Sequence, residues 1–209
     1  MIELTNLYMF IVASFILCLV PGPDNIYVLT QGIKKSKKAA IVTTLGLTTG
    51  LIVHTSAAAF GISVIFQTSQ LAFDILKYAG AFYLLYLGYQ AFKYRDEPLD
   101  LRVQNSSSEL KKLYKKGFVM NILNPKVSLF FLAFLPQFVT LENGNIPLQM
   151  IILGLIFMLM TIIVFSGIGI SGNILSKKLL EKQNIVKYMN ILTSFILVSL
   201  GLKLAFSSR

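Results

Sequence analysis

Asp24 and Lys126 are the two charged residues that lie away from the ends of long apolar stretches, and each stands beside a proline that interrupts its stretch. The first block reads PGPDN, Pro21, Gly22, Pro23, Asp24 and Asn25; the second reads NPK, Asn124, Pro125 and Lys126. A proline removes a backbone hydrogen bond and pushes its predecessor out of the α region, so both blocks free carbonyls and restart a helix. Asn124 reads as an N-cap ahead of a proline at the first helical position, and Asp24 or Asn25 can cap after Pro23 in the same way. Each restarted helix points the positive end of its dipole at the break, where a carboxylate is favoured. An unpaired charge at the centre of a bilayer costs roughly 2.5–3.5 kcal/mol on insertion scales. The two charges must therefore meet each other or a ligand carrying both signs. A zwitterion does so, with its ammonium against Asp24 and its carboxylate against Lys126, in place of an internal Asp24–Lys126 pair. Asp24, Asn25, Asn124 and Lys126 are thus the candidate binding residues, and Pro21, Gly22, Pro23 and Pro125 the helix-break residues. The competing reading places both charges near an interface, where they snorkel or cap helices.

Composition identifies the elements that must hold these residues. The 209 residues are 55% hydrophobic and 13% charged, with a mean hydropathy of +0.71, whereas soluble domains are roughly 45–50% apolar and about 25% charged. Six stretches approach the roughly 20 apolar residues that a membrane-spanning helix needs: residues 4–33, 39–66, 71–92, 117–139, 148–175 and 185–206. Alternating strands are absent, so helices are left to satisfy the backbone in hydrocarbon. The first stretch lacks a basic flank and a small-residue cleavage site, and reads as a retained span. The 16 Phe and 9 Tyr read mostly as lipid-facing or interfacial.

The net charge of +10 is sorted by position: 15 of the 19 Lys and Arg lie between stretches one and two, three and four, or five and six. Those alternate loops share one face, which the positive-inside rule makes cytoplasmic, with both termini outside. Basicity thus reports topology and attraction to anionic lipid, and a nucleic-acid partner is not expected.

The polar segment 93–116 divides the chain near its middle, and weak matches recur in order across it. Pro23 pairs with Pro125, Gly46 and Gly61 pair with Gly154 and Gly169, and Lys77 pairs with Lys187. Three spans per half make the second half enter from the opposite face. The expectation is an all-α integral membrane fold of six transmembrane helices, an inverted 3+3 repeat with helices 1 and 4 broken at proline. It forms one transmembrane domain, 1–209, with halves 1–95 and 115–209 and a cytoplasmic connection 96–114. Discontinuous helices meeting near the midplane are a recurrent transporter design.

The single histidine, His54, is either a proton relay acting with Asp24, because imidazole titrates near neutrality, or a hydrogen-bonded packing residue. Gly46 and Gly50 form G-x-x-x-G, which brings helices close; packing within the chain is expected ahead of dimerisation, and a homo-oligomer is left open. The lone Cys18 permits no intramolecular disulfide. The sequence holds no serine–histidine–acid set, no H-E-x-x-H and no paired acids within a stretch. No catalytic residue, metal or cofactor is therefore expected, and the chain reads as no enzyme.

At these residues the chain resembles the lysine exporter superfamily, LysE/RhtB, of bacterial amino-acid efflux proteins. The resemblance is carried by PGPDNIYVLTQGIKKSKKAAIVTTLGLTTGLIVH, beginning at Pro21 and ending at His54, and by GFVMNILNPKVSLFFLAFLPQFV, from Gly117 to Val139. It implies a multi-pass protein of the bacterial cell membrane that exports amino acids or close derivatives without ATP, driven by the proton gradient or membrane potential. No G-x-x-x-x-G-K-[ST] loop contradicts that. The family's first motif falls on Pro21, Gly22, Pro23, Asp24 and Asn25, and its second on Asn124, Pro125 and Lys126. Many relatives carry a neutral residue at the position of Asp24, so the ion pair is either general or particular to this chain's substrate. The alternatives are an intramembrane enzyme acting on lipid or a small substrate, and a passive channel or accessory subunit.

Overall fold

A computed structural model describes residues 2–64, 69–97, 110–140, 144–174 and 183–206. These residues are helical with no strand among them. In chain order they form α1 (Leu4–Leu19), α2 (Pro23–Lys34), α3 (Lys37–Ala57, continued by a π turn over Ala58–Ile62) and α4 (Gln70–Lys93). Next come α5 (Leu110–Ile122), α6 (Pro125–Leu129, continued by a π turn over Phe130–Phe134 and a 3-10 turn over Leu135–Phe138), α7 (Ile146–Ile174) and α8 (Gln183–Phe206). Ser36 and Ser69 cap α3 and α4, accepting from Ala39 N at 3.1 Å and Ala72 N at 3.2 Å, because a hydroxyl satisfies an amide that the first turn leaves unpaired.

Among the described residues, three helical runs are long and apolar enough to cross a membrane, Lys37–Gly61, Gln70–Lys93 and Ile146–Gly172. Two further runs are bent: α1 meets α2 at 58°, and α5 meets the helix after Pro125 at 49°. The spans number five if each bent pair counts as one. The sixth expected stretch lies in α8, whose apolar part is Asn190–Phe206. The fourth stretch is helical ahead of its apolar part: Lys111, Lys112, Lys115 and Lys116 already lie within α5.

Glycines set the packing, since helices approach closely where no Cβ intervenes. A Cβ on Gly46 would stand 2.2 Å from Tyr114 O, and one on Gly50 would strike Asn121. The G-x-x-x-G motif is therefore spent on packing α3 parallel to α5. A Cβ on Gly32 would stand 2.0 Å from Gly169 O, which brings α2 and α7 backbone to backbone. Gly80 meets Leu204 and Gly88 meets Val198, so α4 and α8 pack antiparallel. Each close pair joins one helix from either side of the 93–116 segment, and the two halves of the chain interleave.

Lys187 on α8 reaches Asp96, just past α4, at 2.9 Å. That bond holds the Asp96 carboxyl below its usual range and ties the two basic connections to one end of the bundle. Arg102, Lys177, Lys178 and Lys182 of the expected basic face lie outside the described residues.

Most of the described aromatic rings are exposed, as expected, and a minority form a buried cluster. Phe82, Phe195 and Phe206 are exposed, but Phe10, Phe130, Phe131, Phe134, Phe138 and Phe157 are buried. Ring centroids stand 5.0 Å apart for Phe130 and Phe157, 5.1 Å for Phe134 and Phe138, and 5.2 Å for Phe10 and Phe138. The helix after the second break supplies four of these rings, and the extra residue per turn in its π segment widens the face that they share.

Candidate functional site

The first break is held together by a side chain just beyond it. The helix stops at Leu19 and restarts at Pro23, with Gly22 as the extended N-cap residue. Asn25 then reaches back: its Oδ1 accepts from Gly22 N at 2.7 Å, and its Nδ2 donates to Val20 O at 2.8 Å and Cys18 O at 3.2 Å. One buried side chain thus satisfies the amide and two carbonyls that Pro21 and Pro23 leave free. Of the two residues expected to cap, Asn25 does so, and Asp24 is released to face the second half of the chain.

Three buried hydrogen bonds make Asn25→Ala expensive. At about 0.5–1.5 kcal/mol each, the expected loss is roughly 2–4 kcal/mol, read as a lowered thermal midpoint of the purified protein in detergent. Asn25→Asp keeps the acceptor for Gly22 N and should fall between alanine and wild type. If alanine equals wild type, Asn25 does not hold the break.

The second break is capped as the sequence indicates, with Asn124 Oδ1 accepting from Lys126 N at 3.0 Å and Pro125 opening α6. Lys126 Nζ crosses to the first break and donates to Val20 O at 3.1 Å. Gly22 permits that approach, since a Cβ there would stand 3.0 Å from Nζ.

Asp24 is buried on α2, and its Oδ2 accepts from Asn121 Nδ2 at 3.0 Å. No Asp24–Lys126 ion pair forms: the ammonium turns to a carbonyl and the carboxylate to an amide. Asn121 is the residue that sequence reasoning missed. It stands one turn before Asn124 on the same buried side of α5, and the two asparagines in MNILNP are the signal that would have found it. Its own carbonyl accepts from His54 Nε2 at 3.1 Å. A carbonyl only accepts, so Nε2 carries the proton. His54 is buried and lies against Phe131, with centroids 5.8 Å apart. Asn121 stands between His54 and Asp24, and the two do not touch directly.

Three polar atoms at the breaks make no hydrogen bond of ordinary geometry, Asp24 Oδ1, Asn121 Oδ1 and Asn124 Nδ2, although the Asn124 amide is near enough to the Asp24 carboxylate to act on it. The other contacts fix both amides, because a carboxylate can receive only the Asn121 nitrogen and a backbone N–H only the Asn124 oxygen. Lys126 spends one of its three donors on Val20 O. Two acceptors and an amide donor are thus buried at the same breaks as the Lys126 ammonium. Buried groups of this kind are normally satisfied.

A third charge, Lys77 on α4, is also buried, but it is paired with Asp74 at 3.4 Å and lies over the Tyr78 ring. No group of three or more His, Cys, Asp or Glu among the described residues is placed to hold a metal.

Residues 15–208 match the family described as LysE type translocator. The chain is 33% identical to the membrane protein YrhP of Bacillus subtilis over 210 residues, covering 97% of this chain and 99% of that protein. It is 32% identical over 160 residues to the homoserine/homoserine lactone efflux protein of Salmonella typhimurium, 77% of either chain. The protein of that name in Salmonella typhi is likewise 32% identical over 160 residues. No solved structure matches this chain.

Proposed function

Because this chain belongs to the LysE type translocator family, and is therefore a multi-pass transporter of the cell membrane and not an enzyme, we propose that it exports amino acids at the junction of its two broken helices. The observation that carries the reading is the match between unpartnered groups and ligand. Asp24 Oδ1 and Asn121 Oδ1 suit an ammonium; Asn124 Nδ2, Lys126 and the N-termini of α2 and α6 suit a carboxylate. The efflux relatives named for homoserine and its lactone make homoserine the first substrate to test.

The proposed architecture is six spans in an inverted repeat, residues 1–95 and 115–209 about the 96–114 connection, with α8 as the sixth span and both termini outside. The two bends of 58° and 49° at corresponding prolines support it. Export is driven by the proton gradient or membrane potential, with Asp24 and His54 as candidate proton carriers. In energised vesicles, homoserine should accumulate uphill and the gradient should collapse on adding a protonophore; strictly downhill movement would identify a channel instead.

The lactone separates the two charges, because it keeps the amine and lacks the free carboxylate. Cells deficient in exporters and loaded with homoserine or its lactone should show that Asp24→Asn impairs efflux of both. Lys126→Ala should impair homoserine far more than the lactone. Equal effects of the two substitutions on both compounds would refute this assignment of roles.

A further inference from the structure

We propose that the seam between α2 and α3 is the route by which substrate reaches the broken helices from the basic face. The inference rests on the amino-acid export reading. Its observations are separate from the site: Gln31 Nε2 and Oε1, Thr44 Oγ1 and Thr48 Oγ1 are buried side-chain atoms with no hydrogen-bond partner. Gln31 and Thr44 are wholly buried, and Thr48 is 7% exposed.

Contacts on either side fix the face on which they lie. On α2, Tyr27 packs with Ala39 and Leu113, while Val28 meets Gly169 of α7. Gln31 follows Tyr27 by four residues and Val28 by three, so it lies between those directions, toward α3. Asp24 precedes the same pair by three and four residues and continues that stripe toward the break. On α3, Ala40 meets Gly169 and Thr55 meets Gly154 of α7; Thr44 and Thr48 follow Ala40 at one and two turns, and because Gly169 touches both Val28 and Ala40 they lie where α7 closes over the α2–α3 seam.

The three residues are also graded in depth. At 1.5 Å per residue, Gln31 stands roughly 5 Å from the basic end of α2 and Asp24 roughly 15 Å. Measured from Ser36, Thr44 stands at roughly 12 Å and Thr48 at roughly 18 Å. Gln31 and Thr44 therefore stand between the lysines at 34, 35, 37 and 38 and the Asp24 carboxylate, and Thr48 lies at about the depth of Asp24 or slightly beyond it.

Two observations give the seam its direction. Backbone-level glycine contacts fasten α2 to α7 and α3 to α5. Beyond the breaks, away from the basic end, the core is dominated by the phenylalanine cluster of Phe10, Phe130, Phe134 and Phe138, and the unpartnered hydroxyls there, Ser14 Oγ and Thr140 Oγ1, stand apart on different segments. Polar groups that are unpaired when the seam is closed gain partners when a hydrated zwitterion passes, which lowers the cost of opening on this side.

The test is cysteine accessibility in inside-out vesicles. Native Cys18 is first replaced by serine, and export by that background is verified. Thr44→Cys and Thr48→Cys are then compared with Leu47→Cys, an apolar position that is equally buried at the same depth and whose backbone N lies against Gly117 of α5. A small charged thiol reagent should modify positions 44 and 48 at least about tenfold faster than 47, and homoserine should slow that reaction. Equal and negligible labelling at all three positions in vesicles that export would overturn the seam while leaving the transport reading intact. Labelling at 44 and 48 in vesicles that export no amino acid would sustain the seam and remove the substrate. Should the cysteine variants fail to fold, Thr44→Val with Thr48→Val keeps the side-chain shape. That double variant should slow efflux about tenfold, the equivalent of roughly one lost hydrogen bond during passage; unchanged efflux would equally overturn the proposal.

Discussion

Lys126→Ala is expected to reduce homoserine efflux to background while the protein still inserts and folds. The geometry separates the two effects. Val20 O, which accepts from Lys126 Nζ, also accepts from Asn25 Nδ2 at 2.8 Å, so the first break keeps its hydrogen bond when the ammonium is gone. The second break is capped by Asn124 onto the backbone of residue 126, which any side chain preserves. Substrate has no such reserve. Removing one partner of a buried charge pair typically costs 2–5 kcal/mol, or roughly 30- to 5,000-fold in transport. Rates should be read on preloaded cells, with membrane abundance and thermal midpoint measured in parallel. Near-normal efflux would discard the site. Lys126→Arg is expected to recover little, since the ammonium sits 3.0 Å from where a Gly22 Cβ would be and leaves no room for a planar guanidinium.

The second large effect is on the fold. Gly46→Ala should destabilise the protein by about 2–4 kcal/mol, although alanine is the better helix former by about 1 kcal/mol. A Cβ at Gly46 would meet Tyr114 O at 2.2 Å, and the reciprocal Gly117 would meet Thr43 O at 2.7 Å. Both obstacles are backbone atoms in helices, so relief comes only by moving α3 away from α5. That motion would also part His54 from Asn121, and Asn121 from Asp24. Gly167→Ala is the control: its Cβ would meet nothing within 4 Å, and it should be neutral or slightly stabilising. Thermal unfolding of the purified variants compares them, and indistinguishable midpoints would show that α3 and α5 do not touch backbone to backbone.

Hydropathy and proline placed much of this molecule in advance. The breaks at Pro23 and Pro125 are local events, dictated by a ring that cannot donate, and so they are readable one residue at a time. The partners were not readable. Asn121 sits in an unremarkable helix, and its role depends on α5 lying beside α2, a relation that no periodicity encodes. The pairing of Asp24 with Lys126 failed for a related reason: opposite charges can be counted in a sequence, but a nearby carbonyl and amide compete for them in space. Lys77 stood out in the sequence only as a repeat match to Lys187, and that it is buried against Asp74 appears only in the fold. The aromatics as a class lie outward as composition suggests, but composition cannot say that the helix after Pro125 will direct four phenylalanines inward.

The span of sequence between the polar partners has a consequence in time. Asp24 meets Asn121 across 97 residues, and Val20 meets Lys126 across 106. At synthesis rates of about 5–20 residues per second, the first broken helix enters the bilayer roughly 5–20 seconds before the residues that complete it have been made. Throughout that interval a carboxylate waits without its amide, which argues that the nascent first half stays beside the insertion machinery, at the edge of water, until α5 arrives.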